Sequence, residues 1–253
     1  MPAQTSSAPE AHIRKIYRTL SSAWGPQHWW PAQSRFEVVV GAYLTQNTNW
    51  TNVELAMRKL RAARVLNIAG IRNVPLDELE QLVRSSGYFR QKATRLKAFV
   101  SFLDEKYAGS LTKMFAQPTA LLRGQLLSLN GVGPETADSI LLYAGQHPVF
   151  VVDAYTRRLA ARHRIAPEET MYEGLRTLFE HALASVSPHS TVATQPSGGA
   201  THPPSRMSLT KRCATAQVLN EMHGFIVGVG KKYCRKAEPA CEHCPLKCLL
   251  PAQ

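Results

Sequence analysis

The 253-residue sequence contains no apolar run approaching the roughly 20 residues that a membrane-spanning helix needs. Its opening residues, MPAQTSSAPEAH, lack the basic stretch and apolar core of a secretory signal, so a cytoplasmic protein is expected, in a bacterial cytoplasm or nucleoid, with no membrane partner. No internal repeat is visible. The nine histidines form no H-E-x-x-H or similar ligand spacing, and none is given a role. Acidic side chains are scarce: 18 Asp and Glu face 30 Lys and Arg, a formal charge of +12 that attracts polyanions. Nucleic acid is the leading partner, although many basic proteins bind none and an anionic membrane surface would exploit the same charge. Cysteine is nearly absent until the end, where Cys234, Cys241, Cys244 and Cys248 crowd into the last twenty residues. In a reducing compartment that clustering points to a metal site over a disulfide framework, with Cys213 left as an ordinary helix residue.

Most of the chain shows helical spacing of apolar residues: Val53, Met57 and Leu60; Leu96, Phe99, Val100 and Leu103; Ala137, Ile140, Leu141 and Ala144; Met171, Leu175, Leu178 and Phe179. Pro134 and Pro167 are placed like first-turn prolines, and Pro75 to Asp77 opens DELEQLV. Only VFVV, residues 149–152, reads as extended, which is too short to found a sheet. The fold class expected is therefore all-α. Residues 186–210, rich in Ser, Thr, Pro and Gly without apolar periodicity, are expected to be a disordered insertion, and residues 1–12 a disordered tail.

The most informative stretch is LLSLNGVGPETADSILLYAGQHPVFVVDAYTRR. One helix is expected to end at Leu129, a tight turn to run through Asn130, Gly131, Val132 and Gly133, and a second helix to start at Pro134. This is a helix-hairpin-helix. Gly131 and Gly133 permit backbone angles that side chains forbid and let amides approach a phosphate closely, giving a grip on DNA that does not depend on sequence.

With VVDAYTRR following at this spacing, the segment resembles the endonuclease III superfamily of helix-hairpin-helix DNA glycosylases. The resemblance implies that Asp153 is the catalytic carboxylate, stabilising positive charge on the deoxyribose and orienting or deprotonating water. An N-cap for the helix starting near Ala154 is the structural alternative, and the two roles can coexist. Lyase-competent members carry a lysine where this chain has Glu135, and a carboxylate cannot form an imine. A monofunctional enzyme is implied; nothing in the sequence points to Lys92 or another amine as a substitute. In RFEVVVGAYLTQNTNW, Gln46 matches the glutamine that fills the gap left by an extruded base.

The pattern HWWPA with Trp50 is similar to type III 3-methyladenine DNA glycosylases and implies a base pocket of Trp29, Trp30, Pro31 and Trp50, whose indoles would stack on a cationic methylated purine. The adjacent tryptophans cannot both point inward from one helix face. The absence of an obvious histidine general acid fits a base whose glycosidic bond alkylation has already weakened.

The superfamily also carries a [4Fe-4S] cluster near its C-terminus. The cysteine spacing x6, x2 matches its pattern, but the last gap is x3 where five residues are usual, and zinc on the same four thiolates is the alternative. The implied architecture is two helical lobes: a barrel over 36–148 carrying the hairpin, and a second lobe from 13–35 and 149–253 with the four-cysteine loop. Double-stranded DNA with a damaged base would bind in the cleft between them, and a monomer is expected. A glycosylase/lyase acting on oxidised or mismatched bases, and a noncatalytic DNA-binding protein, are the rival readings.

Overall fold

A computed structural model describes residues 7–188 and 203–251. The expectations for residues 1–6 and for 189–202 of the low-complexity segment lie outside the described residues. Among the described residues there are twelve α-helices and no strand, and residues 149–152 belong to no element, the amides of Phe150 and Val152 donating to the Glu180 and Tyr172 side chains. The chain divides into two compact units: residues 32–147, and residues up to Pro31 joined with those from Pro148 onward.

The first unit is built around α2 (Arg35–Leu44), whose VVVGAYL is apolar all round and is buried along its whole length from Phe36. Such a helix is stable only when neighbours cover every face. The cover comes from α3 (Trp50–Ala62), α6 (Phe89–Tyr107) and α9 (Pro134–Ser139), the last continuing as a wider π-turn over Ile140–Gly145, while α4 (Ile68–Asn73), α5 (Leu76–Val83) and α7 (Leu111–Phe115) pack on α6 and α8 (Thr119–Leu127) packs on α9. Lys92 of α6 is buried, and its Nζ donates to the carbonyls of Leu44 (2.9 Å) and Ser86 (2.6 Å). Burial, followed by the nearby Arg95 charge, pushes this amine down to about 8. Both carbonyls would be left without their donor if Lys92 were to act as a nucleophile.

The second unit is built around α12 (Ala214–Lys232), against which α1 (Ala8–Trp24), α10 (Ala154–Arg162) and α11 (Tyr172–Leu183) pack. Ile13, Ile16, Tyr17, Leu20 and Trp24 form the buried stripe of α1. Gly230 of α12 is required by close approach, since a Cβ there would lie 2.2 Å from Cδ1 of Tyr155.

Three expectations are corrected here. Residues 8–12 are not a disordered tail but the first turns of α1, because the Ser7 hydroxyl accepts the Glu10 amide as an N-cap. Residues 205–210 are not disordered either: Ser205, Met207 and Ser208 are buried, and the Ser205 hydroxyl donates to the Trp30 carbonyl at 3.1 Å. Pro167 opens a single turn closed by Thr170 N–H on its carbonyl, while α11 starts at Tyr172 after an exposed Met171.

Candidate functional site

In the unit spanning 32–147 the hairpin forms where expected. Helix α8 ends at Leu127, Val132 N–H closes the turn on the Leu129 carbonyl at 3.1 Å, and α9 starts at Pro134 with Gly133 as its N-cap. The Val132 side chain is buried as the anchor, and Asn130 is exposed. Among the described residues neither Gly131 N–H nor Gly133 N–H has an acceptor, so these amides can meet an external oxygen. The two glycines differ in their reasons. Gly131 has φ +76, and a Cβ there would fall 2.0 Å from Nε of Arg95, whereas Gly133 has an ordinary φ of −89 with open space around it. The expectation that both need forbidden angles is thus corrected for Gly133.

Two side-chain networks the sequence did not point to brace this hairpin. Arg123 of α8 grips the fully buried Asp138 of α9 in a two-pronged pair, Nε to Oδ1 at 2.7 Å and Nη2 to Oδ2 at 3.0 Å. Gln46 donates from Nε2 to the Gly131 carbonyl and to the Thr136 hydroxyl, both at 2.9 Å, and its Oε1 accepts from Arg95 Nη1 at 2.9 Å. Glu135 stands exposed in the first turn of α9. Trp50, the first residue of α3, is half-buried and donates from Nε1 to Glu54 Oε1 at 2.8 Å.

In the other unit Asp153 is the N-cap of α10. Its Oδ1 accepts from the Thr156 amide at 2.7 Å and from the Thr156 hydroxyl at 3.0 Å, while Oδ2 lies 3.5 Å from Nε2 of His223 on α12. Burial pushes the Asp153 carboxyl up, but the His223 imidazole and the Thr156 hydrogen bonds outweigh it and hold the carboxyl below the ordinary carboxylate range. The group is a half-buried anion whose side chain keeps 15% exposure, which leaves room for solvent or a ligand to reach it.

Trp29 and Trp30 do not sit on a helix: they follow α1 in a loop, joined by a cis peptide bond, and both are buried. The loop lets neighbouring residues both turn inward, which corrects the expectation drawn from a single helix face. Their rings meet edge to face at 5.6 Å, Trp29 also meets His223 at 6.3 Å, and Lys231 Nζ lies 5.9 Å from the Trp29 ring. Pro31 follows directly. The histidine at this site was missed because nothing local marks it; only the fold brings position 223 to position 153.

Around Cys234, Cys241 and Cys244 one small cavity is lined by these three cysteines with Arg162, His163 and Leu250. Arg162 Nη1 approaches Cys234 Sγ at 3.2 Å, a partner suited to a thiolate. Burial, followed by a hydrogen bond from the Leu246 amide that acts the other way, leaves the Cys244 thiol raised, with Cys234 and Cys241 adding to the rise. Cys248 is exposed and does not line the cavity, and Leu250 stands where a five-residue gap after Cys244 would put the fourth cysteine. Among the described residues no three His, Cys, Asp or Glu side chains are placed to hold a metal ion. Cys234, Cys241 and Cys244 thus share one cavity that Cys248 does not line, and as they stand the four thiols do not form a tetrahedral centre.

Residues 40–184 match the HhH-GPD superfamily base excision DNA repair protein family. The chain is 41% identical over 237 residues to "Putative DNA repair glycosylase MJ1434" of Methanocaldococcus jannaschii, covering 93% of this chain and 94% of that one. It is 27% identical to endonuclease III of Thermotoga maritima, over 84% of this chain and 80% of that one. Among solved structures, 3-methyladenine DNA glycosylase (MagIII) of H. pylori bound to 1,N6-ethenoadenine superimposes with a TM-score of 0.69 at 26% identity, covering 88% and 97% of the two chains. A trapped endonuclease III–DNA covalent intermediate also reaches a TM-score of 0.69, at 21% identity and 95% coverage of both. The protein is a helix-hairpin-helix enzyme that cleaves N-glycosyl bonds in DNA. It belongs to the HhH-GPD superfamily of base excision repair glycosylases, in the same broad group as the endonuclease III proteins.

Proposed function

We propose that this glycosylase is monofunctional, that it acts as a monomer in the cytoplasm on double-stranded DNA, and that it releases alkylated purines such as 3-methyladenine with Asp153 as the catalytic carboxylate. The observation that carries this reading is the state of Asp153: a half-buried carboxylate held as an anion, with Oδ1 fixed by Thr156 and Oδ2 left without a short hydrogen bond. An anion of that kind stabilises positive charge growing on the sugar as the base leaves, and it orients or deprotonates the attacking water. Partly shielded from bulk water, its field acts more strongly than the same charge would in free solution.

The other parts have consistent roles. The free amides of Gly131 and Gly133, beside Asn130 and the anchor Val132, hold a phosphate, and Gln46 enters the gap of the extruded base once it leaves its contacts on the hairpin. Trp29, Trp30 and Pro31 supply stacking faces for the base, a reading supported by the likeness to MagIII, whose structure holds 1,N6-ethenoadenine, and Trp50 is kept as a further stacking residue. Glu135 in place of an amine, and Lys92 tied to two carbonyls, favour hydrolysis without lyase chemistry. Cys234, Cys241 and Cys244 would carry an iron–sulfur cluster, with zinc as the alternative. Cys248 joins them only if its loop turns inward.

A second reading has its own observation. Lys231 already presents an ammonium to the Trp29 ring, and a cationic base arriving on that face meets a like charge. A neutral oxidised or mismatched base meets none. The test is release of free bases from duplex DNA carrying alkylated, oxidised or mismatched bases, with strand breaks scored before and after alkali. Free 3-methyladenine with breaks only after alkali supports the proposal. Release confined to neutral lesions, or breaks without alkali, favours the second reading.

A further inference from the structure

We infer that His223 is a positioning residue for Asp153: from α12 it backs the Oδ2 oxygen and keeps the carboxylate charged and aimed while the glycosidic bond breaks. The inference rests on the reading of Asp153 given above. The two Asp153 oxygens are held unequally. Oδ1 is saturated by two donors from Thr156 on its own helix, whereas Oδ2 has the His223 Nε2 at 3.5 Å. That separation is too long for a strong hydrogen bond and well within reach of a charge or dipole, so Oδ2 keeps its capacity to accept from water or face a cation.

The imidazole has little freedom to leave. Only 4% of His223 is exposed, the Trp29 ring lies 6.3 Å from it, and the Phe150 ring meets it edge-on at 6.2 Å. Phe150 is itself fixed by stacking on Phe179 at 4.6 Å and by its N–H on Glu180 Oε1. Three segments of one unit thus hold the ring against a carboxylate that burial alone would neutralise. The other groups around this pair are Tyr155 and Arg158 on α10, with Arg158 stacked 5.1 Å over Tyr155, and Lys231, also on α12, over Trp29. Tyr155 is pushed up by burial and then by the Asp153 charge, so it stays a neutral phenol, and Glu221 of α12 is engaged by the Gln27 amide. Without His223, Thr156 alone opposes the desolvation of Asp153.

The experiment is single-turnover base release across pH 5 to 8, with thermal melting and DNA affinity measured in parallel, for wild type, His223→Phe, His223→Gln and Asp153→Asn. Without the imidazole, the burial of Asp153 is opposed by the Thr156 hydrogen bonds alone, so His223→Phe should fall below the wild-type rate by a factor that grows severalfold from pH 8 to pH 5. Its acid limb moves up while DNA affinity holds. His223→Gln, which keeps a donor, should lie between the two, and it carries the test alone if the Phe variant does not fold. A profile superimposable on wild type, or slowing by one factor at every pH, overturns the inference. If Asp153→Asn keeps the wild-type rate, the reading of Asp153 has failed instead, and the two failures are separable.

Discussion

Glu221 offers a stability prediction whose sign depends on pH. This residue of α12 is 7% exposed; its Oε2 accepts the Gln27 amide at 2.6 Å and its Oε1 the Gln217 side-chain amide at 2.9 Å. Burial raises its carboxyl from an ordinary 4.5 to about 7, against smaller pulls from the Gln27 hydrogen bond, Arg212 and Gln217. A carboxyl raised on folding favours the native state while it is protonated, so its contribution is fully present below about 4.5 and is lost as pH rises to about 7. The difference corresponds to about 3 kcal/mol lost between those limits. Glu221→Gln removes the titration. The amide carbonyl keeps one donor, and the amide nitrogen then needs Gln217 to turn its oxygen inward, an adjustment costing about 1 kcal/mol or more. The variant should therefore be no more stable than wild type at pH 5 and more stable by about 1–2 kcal/mol at pH 8. Urea denaturation of both proteins at several pH values between 5 and 8 measures this. A stability difference that stays constant over the range refutes the reasoning.

Three further outcomes follow from the packing. Asp138→Ala leaves Arg123 facing an apolar hole; with Arg123 16% exposed, a loss of about 3 kcal/mol in urea unfolding is expected, together with weaker DNA binding as the hairpin loosens. Gly131→Ala forces a left-handed backbone on a residue with a Cβ, at about 1–2 kcal/mol, and pushes Arg95 off Gln46. Combining it with Arg95→Ala should therefore cost less than the sum of the two single changes in denaturation experiments. Cys234→Ser should lower iron and acid-labile sulfide content, or zinc, far more than Cys248→Ser, because the exposed Cys248 does not line the cavity that the other three share; equal losses would show that all four ligate.

What could be read in the sequence is what is local to it. The hairpin, its following helix and Asp153 sit within some twenty-five residues, and their turn glycine, first-turn proline and cap are chemical necessities of those few positions. The start of α1 was equally local, with Ser7 three residues before Glu10, but the polar composition of the surrounding residues masked the cap. His223, Glu221 and Arg95 could not be found this way. Each acquires its role only when α12 or α6 is folded against a segment distant in sequence, and burial, which sets the charge state of Glu221, has no sequence signature. The tryptophan pair shows a different limit: helix-face reasoning does not apply to a loop, where adjacent side chains can both be buried. The short last cysteine gap was visible in sequence, whereas its result, Leu250 facing the cavity and Cys248 outside it, needed coordinates.

The central claim is that a half-buried, ionised Asp153 does the chemistry. The most direct test is single-turnover base release from alkylated duplex DNA by wild type and Asp153→Asn, each at saturating protein, with DNA affinity measured alongside. The Asn side chain can still accept from the Thr156 amide through its oxygen, so the cap and the fold should survive. The account predicts DNA binding near the wild-type level and base release slowed at least 100-fold, the loss expected for a group acting on transition-state charge. Release at the wild-type rate by folded Asp153→Asn protein would contradict it and reduce Asp153 to the cap of α10.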